Sequence, residues 1–80
     1  MVTIHFYAGL RELAKTATLE LNWQPGLSAA LLRKTIAQRV PGISSLLEKS
    51  SLAVNDVIVG NEFILPDGAE VALLPPVSGG

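Results

Sequence analysis

The sequence contains no cysteine, so it can form no disulfide framework and carries no thiol nucleophile. Its single histidine, His5, has no second metal-ligating side chain at a suitable spacing, so we expect no metal site. Neither of the glycine-rich phosphate-binding patterns, GxxxxGKS or GxGxxG, occurs. The acidic residues are spread along the chain, which does not favour paired acid–base catalysis. The body of the protein therefore lacks the residues for chemistry of its own.

Charged residues are scarce, at 16% of the 80 residues against a typical ~25%, and the formal net charge is −1. A nucleic-acid partner requires a basic face that displaces counterions, so we expect none. No apolar run approaches the ~18–20 residues that span a membrane, and the N-terminus lacks the basic flank and apolar stretch of a signal peptide. We therefore expect a cytoplasmic protein with no membrane partner.

Apolar residues, in contrast, make up 49% of the chain. A chain of this length forms one domain with much surface and little interior, so part of this apolar surplus must lie exposed. The composition therefore predicts an apolar surface that faces a partner.

Alternation of apolar and polar residues predicts strands. In residues 1–7, Val2, Ile4 and Phe6 lie on one side and Tyr7 on the other. Further strands are predicted at 17–23, 52–54, 57–59 and 70–74, with a tight hairpin at Asn55-Asp56. If Val71 and Leu73 face the core, Leu74 faces outward, whereas the orientation of Ile58 between two valines stays open.

One main helix is predicted after an N-cap at Ser28, and Pro41-Gly42 ends it. Its apolar stripe consists of Ala29, Leu32, Ile36 and Val40, and its solvent side of Arg33, Lys34, Gln38 and Arg39. Short helical segments are expected at 10–14, after a break at Gly9, and at 43–49. The prediction is an α+β fold: a mixed sheet with one main helix packed on one face and the other face open.

The last residues, PPVSGG, follow the strand-like DGAEVALL. Pro75 and Pro76 lack amide hydrogens and have a fixed φ, so the chain leaves the last strand stiffly. From there to Gly80 the chain reaches at most roughly 20 Å. Gly79-Gly80 forms the slimmest possible tip, able to enter a narrow channel in another protein, although a simple frayed end is the alternative. We therefore expect a domain at 1–74 and an extended tail at 75–80.

The PPVSGG end, the N-terminal FYAGLRELA and the central AVND resemble the small subunit of molybdopterin synthase, and this resemblance runs from end to end. Members of that family are ubiquitin-like β-grasp sulfur carriers. The sulfur carrier of thiamine synthesis shares the fold and the Gly-Gly end. It is the weaker match, because it usually lacks the Pro-Pro and the Arg11-Glu12 stretch seen here.

The resemblance implies that the chemistry takes place at Gly80. An E1-like enzyme would join its carboxylate to AMP, using ATP and magnesium, and a persulfide sulfur would then replace the adenylate. The resulting thiocarboxylate would give sulfur to cyclic pyranopterin monophosphate inside the large subunit, building the molybdopterin dithiolene. The chain itself would bind no cofactor and would be non-catalytic alone.

The resemblance also assigns residues to partner binding. The family's apolar patch corresponds here to Tyr7, Ile58 and Leu74, and its polar contact with the large subunit to Arg11. The tail residues Pro75, Pro76, Val77 and Ser78 would carry Gly79 and Gly80 into the partner. Two other functions stay open: a ubiquitin-like modifier joined to lysines through Gly80, and a non-covalent binding module that uses only the open face.

Overall fold

The computed structural model of the chain describes residues 1–76. Its elements in chain order are β1 (Val2–Phe6), α1 (Ala8–Ala14), β2 (Thr18–Leu21), α2 (Ala29–Arg39), α3 (Ser44–Glu48), β3 (Ser51–Val54), β4 (Val57–Val59) and β5 (Glu70–Leu74). The strands form a single sheet in the order β2-β1-β5-β3-β4. β1 and β5 run parallel, and the other neighbouring strands are antiparallel. The predicted α+β fold with a mixed sheet is confirmed.

The core lies between one face of this sheet and the helices. Val2, Ile4 and Phe6 on β1 are fully or almost fully buried, as the alternation predicts. Leu32 and Ile36 on α2 belong to the same buried cluster. We call the opposite side of the sheet the open face, because none of the helices contributes side chains to a core on that side in residues 1–76. Within the same residues, no helix combines the length and the apolar character needed to cross a bilayer.

The ends of α2 follow their sequence signals. The Ser28 side-chain oxygen accepts a hydrogen bond from the Leu31 amide at 3.1 Å, which satisfies one of the free donors of the first turn. The helix ends at Arg39, whose charge lies in the last turn, where the helix dipole favours it. Gly42 then adopts a φ of +85°, a conformation that disfavours residues with a Cβ.

The hairpin between β3 and β4 also forms as predicted. Asn55 and Asp56 adopt φ angles of +49° and +72°, and the register pairs Val54 with Val57 on either side of them. Positive φ at both central residues is the requirement of a type I′ turn, whose twist matches that of the flanking strands.

The prediction that Gly9 ends the first strand and that the helical segment begins at Leu10 is wrong, because β1 ends at Phe6 and α1 begins at Ala8 and contains Gly9. A Cβ on Gly9 would lie 3.2 Å from Leu46 Cδ2, so the missing side chain lets α1 pack closely against the segment of α3. Gly9 therefore serves helix packing, which a local reading of glycine as a breaker does not anticipate.

The placement of Arg33 on the solvent side of α2 is also wrong. Its Nη1 donates a hydrogen bond to the Leu47 carbonyl at 2.8 Å, and its Nη2 donates one to the Ser50 carbonyl at 2.9 Å. Partial burial lowers the pKa of Arg33 from its ordinary value, through desolvation of the charged guanidinium. Arg33 thus connects α2 to the chain that leads from α3 into β3. It adds a second donor to the Leu47 carbonyl, which also accepts from the Ser50 amide at 3.1 Å.

We predict that Arg33→Met lowers the free energy of unfolding by about 1–3 kcal/mol, because it removes two charge-assisted hydrogen bonds but keeps an apolar stem. Urea unfolding followed by circular dichroism measures this change. Lys34→Met at the exposed neighbouring position is the control, with an expected change within about 0.5 kcal/mol. Equal stability of the two variants would contradict a structural role for Arg33.

Candidate functional site

The registers of the sheet define which side chains share the open face. One row of cross-strand partners runs across all five strands, and its members are Thr18, His5, Ala72, Ala53 and Ile58. Because side chains of directly paired residues point to the same face, this row settles the orientation of Ile58. Its side chain points to the open face, where it is 61% exposed.

An apolar patch, consisting of Tyr7, Ile58 and Leu74, lies on this face. Phe6 and Leu73 are the last Cα partners of the parallel β1–β5 pair, so Tyr7 and Leu74 follow them side by side. Tyr7 is 43% exposed and Leu74 38% exposed. Three exposed apolar side chains on a sheet face that no helix covers are consistent with a contact surface.

Two alanines with small side chains lie next to this patch. Ala53 and Ala72 are direct partners in the middle of the open face, between Ile58 on β4 and His5 on β1. Ala53 is only 6% exposed, and Ala72 is half-buried. The middle of the open face therefore carries small, largely covered side chains, and the exposed Ile58 lies at its β4 edge.

A polar pair from β1 and β5 borders the two alanines. His5 Nε2 lies 2.8 Å from Glu70 Oε1, and both side chains are partly exposed on the open face. The Glu70 amide donates a hydrogen bond to Asn55 Oδ1 at 3.1 Å, which links this border to the β3–β4 hairpin. Sequence reasoning missed the pair, since only the parallel pairing of β1 with β5 brings residues so distant in sequence together.

Arg11 lies one helical turn after Tyr7. The Arg11 amide donates to the Tyr7 carbonyl at 3.4 Å, and its side chain is exposed. Within residues 1–76 it forms no ion pair. A guanidinium next to an apolar patch, with its donors free in the described part of the chain, is suited to a polar contact at the rim of an interface.

The chain leaves the sheet beside the patch. β5 ends at Leu74, and it is followed by a half-buried Pro75 and an exposed Pro76. Neither proline has an amide hydrogen, so the ladder with β3 cannot continue beyond Leu74. Whatever surface receives the apolar patch is therefore also close to the start of the tail.

Comparison with known proteins decides the family. Residues 4–80 match the ThiS family. The chain belongs to the ThiS family. It is 37% identical to the molybdopterin synthase sulfur carrier subunit of Escherichia coli, and the alignment covers 100% of both chains. The resemblance to the small subunit of molybdopterin synthase is thereby confirmed.

Solved structures confirm the ubiquitin-like β-grasp fold of this ThiS family member. SAMP1 from Haloferax volcanii superimposes with a TM-score of 0.89 at 21% identity, over 99% of this chain and 98% of that one, and shows the fold alone. A chain in the complex of subunits 1 and 2 of the molybdopterin-converting factor from Helicobacter pylori superimposes with a TM-score of 0.70 at 28% identity, over 99% of this chain and 97% of that one.

The structure brings together the described members of the predicted partner-binding set in the ThiS family member. Tyr7, Ile58 and Leu74 share the open face, Arg11 lies next to Tyr7, and Pro75-Pro76 continues directly from Leu74. The predicted roles of Val77, Ser78, Gly79 and Gly80 lie outside the described residues. The partner-binding and catalytic assignments themselves stay predictions.

Two surface depressions lie elsewhere, with volumes of about 210 and 260 Å³. The first is lined by Arg33, Lys34, Ala37, Ser44, Leu47 and Glu48, and the second by Asn22, Gln24, Pro25, Gly26, Leu27, Leu31 and Thr35. Neither contains a residue of the apolar patch. Across residues 1–76, no three His, Asp or Glu side chains gather as a metal site would require. The open face and the tail thus carry the features that point to function.

We predict that Leu74→Asp changes the free energy of unfolding by no more than about 1 kcal/mol, since this side chain lies on the open face outside the core cluster. Leu73→Ala, one residue earlier in the same strand, is the matched comparison. It removes a fully buried side chain and should cost about 2–5 kcal/mol. Thermal and urea unfolding measure both values. A large loss with Leu74→Asp would place Leu74 in the core and contradict its assignment to a contact surface.

Proposed function

We propose that this chain is a sulfur carrier and the small subunit of a molybdopterin synthase, and that it carries the sulfur on the terminal carboxyl group of Gly80. The observation that supports this most is the position of the apolar patch, which lies directly beside the exit of the Pro75-Pro76 tail. Similarity over the full chain to a molybdopterin synthase sulfur carrier subunit supports it independently. We expect the protein to act in the cytoplasm.

The proposed chemistry begins with an unreactive group. A terminal carboxylate, with a pKa near ~3.5, is ionised at neutral pH and is therefore a poor electrophile. An E1-like enzyme, using ATP and magnesium, converts the Gly80 carboxylate into an acyl adenylate and releases pyrophosphate. A persulfide sulfur then attacks the Gly80 carbonyl carbon and displaces AMP. A thiol then attacks the remaining sulfur–sulfur bond, so that a disulfide leaves and a thiocarboxylate stays on Gly80.

The thiocarboxylate then acts as the sulfur source. Its sulfur is a soft nucleophile that is readily ionised, as thiolates are. In the proposed reaction it is transferred to cyclic pyranopterin monophosphate within the large subunit, and two such transfers build the dithiolene of molybdopterin. The chain binds no cofactor in this scheme and is non-catalytic alone, since its partners supply the activating and transferring sites.

Docking through the open face explains why a folded domain carries the tail. Ordering a tail of several residues costs conformational entropy, so the affinity must come from another surface. The apolar patch supplies area that is dehydrated on contact, and Arg11 adds a polar contact at its rim. The Helicobacter pylori relative was solved as a complex of subunits 1 and 2, which is consistent with a large-subunit partner here.

We predict that incubation with the E1-like enzyme, ATP, magnesium and a sulfur donor replaces one oxygen of Gly80 by sulfur. Intact-mass spectrometry detects the gain, and fragmentation locates it at Gly80. The control is a chain extended by one alanine after Gly80, which keeps the domain and the tail sequence but moves the carboxylate. Sulfur incorporation into the extended chain, or none into the parent chain, would contradict the proposed mechanism.

We predict that Leu74→Asp weakens binding to the large subunit by about 10- to 100-fold, because it places a charge in a contact that excludes water. Calorimetry with the large subunit measures the dissociation constant. Leu31→Asp is the matched control, since Leu31 is an exposed leucine on α2, on the helix side of the sheet. If the control weakened binding as much as Leu74→Asp, the docking surface would not be the open face.

A further inference from the structure

The two edges of the sheet differ in how they are protected. β2 forms one edge and β4 the other, because they are the first and last strands of the sheet order. An edge strand presents unpaired amide and carbonyl groups, which are available to a strand of another molecule. Which residues present them can be derived from the hydrogen bonds between the strands.

Hydrogen bonds assign the direction of each main-chain group on the β4 side. The Asn55 amide donates to the Glu70 carbonyl at 2.9 Å, in continuation of the β3–β5 register. In β3 and Asn55, the main-chain groups of the odd-numbered residues therefore form hydrogen bonds with β5. Those of the even-numbered Val54 point the other way and bond its partner Val57 on β4. Ile58, the next residue of β4, consequently points its N–H and C=O away from β3, toward the outer edge.

On the opposite edge, one outward main-chain carbonyl already accepts a hydrogen bond and one residue carries a negative charge. The Phe6 amide donates to the Ala17 carbonyl at 2.8 Å, so Thr18 and Glu20 are the residues of β2 whose main-chain groups face outward. The Thr16 hydroxyl donates to the Thr18 carbonyl at 3.0 Å. Glu20 adds an exposed carboxylate. Both features discourage pairing with another strand.

The β4 edge has no comparable protection within its strand. All three of its residues are apolar, and Val57 and Ile58 are 62% and 61% exposed. Ile58 is also the one member of the apolar patch that lies on an edge strand. A molecule that covers the patch therefore reaches the outward main-chain groups of the same residue.

We propose that the protein that docks on the apolar patch adds an extended strand to β4, hydrogen-bonded to the N–H and C=O of Ile58. This inference rests on the proposed function, since it takes the large subunit as the docking protein. Recognition of an edge by strand addition combines main-chain hydrogen bonds with side-chain pockets. The occupant is an extended apolar segment, which offers one N–H and one C=O to Ile58 and packs a side chain against that of Ile58 on the open face.

A partner strand fits this edge better than a second copy of the chain. Two copies of β4 related by a two-fold axis through Ile58 would share two hydrogen bonds between strands of only three residues. Such a contact alone would not provide the area of a stable interface. A larger partner that already covers the patch gains the same bonds as an extension of its interface.

Hydrogen exchange of a ¹⁵N-labelled chain tests the proposal without any substitution. In the free chain the Ile58 amide should exchange rapidly, as should the Glu20 amide on the opposite edge. With saturating large subunit, we expect the exchange of the Ile58 amide to slow by about 100-fold or more, while that of Glu20 stays unchanged. Equal exchange of Ile58 in the free and bound chain overturns the proposal.

N-methylation of the Ile58 amide in a chemically synthesised chain removes the outward donor but keeps the side chain. We expect a rise of about tenfold or more in the dissociation constant for the large subunit. N-methylation of the Glu20 amide is the matched control, expected to leave binding unchanged.

The outcomes separate the two claims. Unchanged binding by the Ile58-methylated chain overturns strand addition and leaves the proposed function in place. A parent chain that does not bind the large subunit overturns the proposed function, and this inference with it. Dimerisation of the free chain in sedimentation, lost on Ile58 methylation, would assign the edge to a second copy and overturn the proposal.

Discussion

Parallel pairing of β1 with β5 is the constraint on which the rest of the structure depends. β5 is bonded to β1 on one side and to β3 on the other, so it joins the N-terminal strand pair to the β3–β4 hairpin. The pairing starts where the Thr3 amide donates to the Ala69 carbonyl at 3.1 Å. It ends where Tyr7 and Leu74 emerge together. One register thus joins the two parts of the sheet and places two members of the apolar patch side by side, where β5 ends.

The second constraint is that the core is one-sided. A chain of 80 residues without disulfides depends on a closely packed core, and residues such as Phe6, Leu32 and Leu73 are at most 1% exposed. The helices cover only one face of the sheet, so Ile58 and Leu74, whose side chains point to the other face, stay exposed. In the proposed function this exposed part of the apolar surplus serves recognition.

This division also separates binding from chemistry in the proposed function. The open face carries the contact area, whereas the reacting group is placed on a tail beyond Pro76. A substitution on the open face can therefore alter affinity without touching the carboxylate, and a change at the tip can abolish reactivity without loosening the domain. Ile58 belongs to two surfaces at once, because its side chain lies on the open face and its main chain lies at the edge of the sheet.

The amino-acid sequence by itself determined the elements whose signals are local: the strand alternation, the Ser28 cap, the Asn55-Asp56 turn and the end of the last strand before Pro75. The tertiary structure alone decided the position of Arg33, the His5–Glu70 pair and the orientation of Ile58. The physical reason is that local signals depend on the φ preferences and hydrogen bonds of adjacent residues. The other features depend on strand order and register, which bring together residues far apart in the chain and have no local signature.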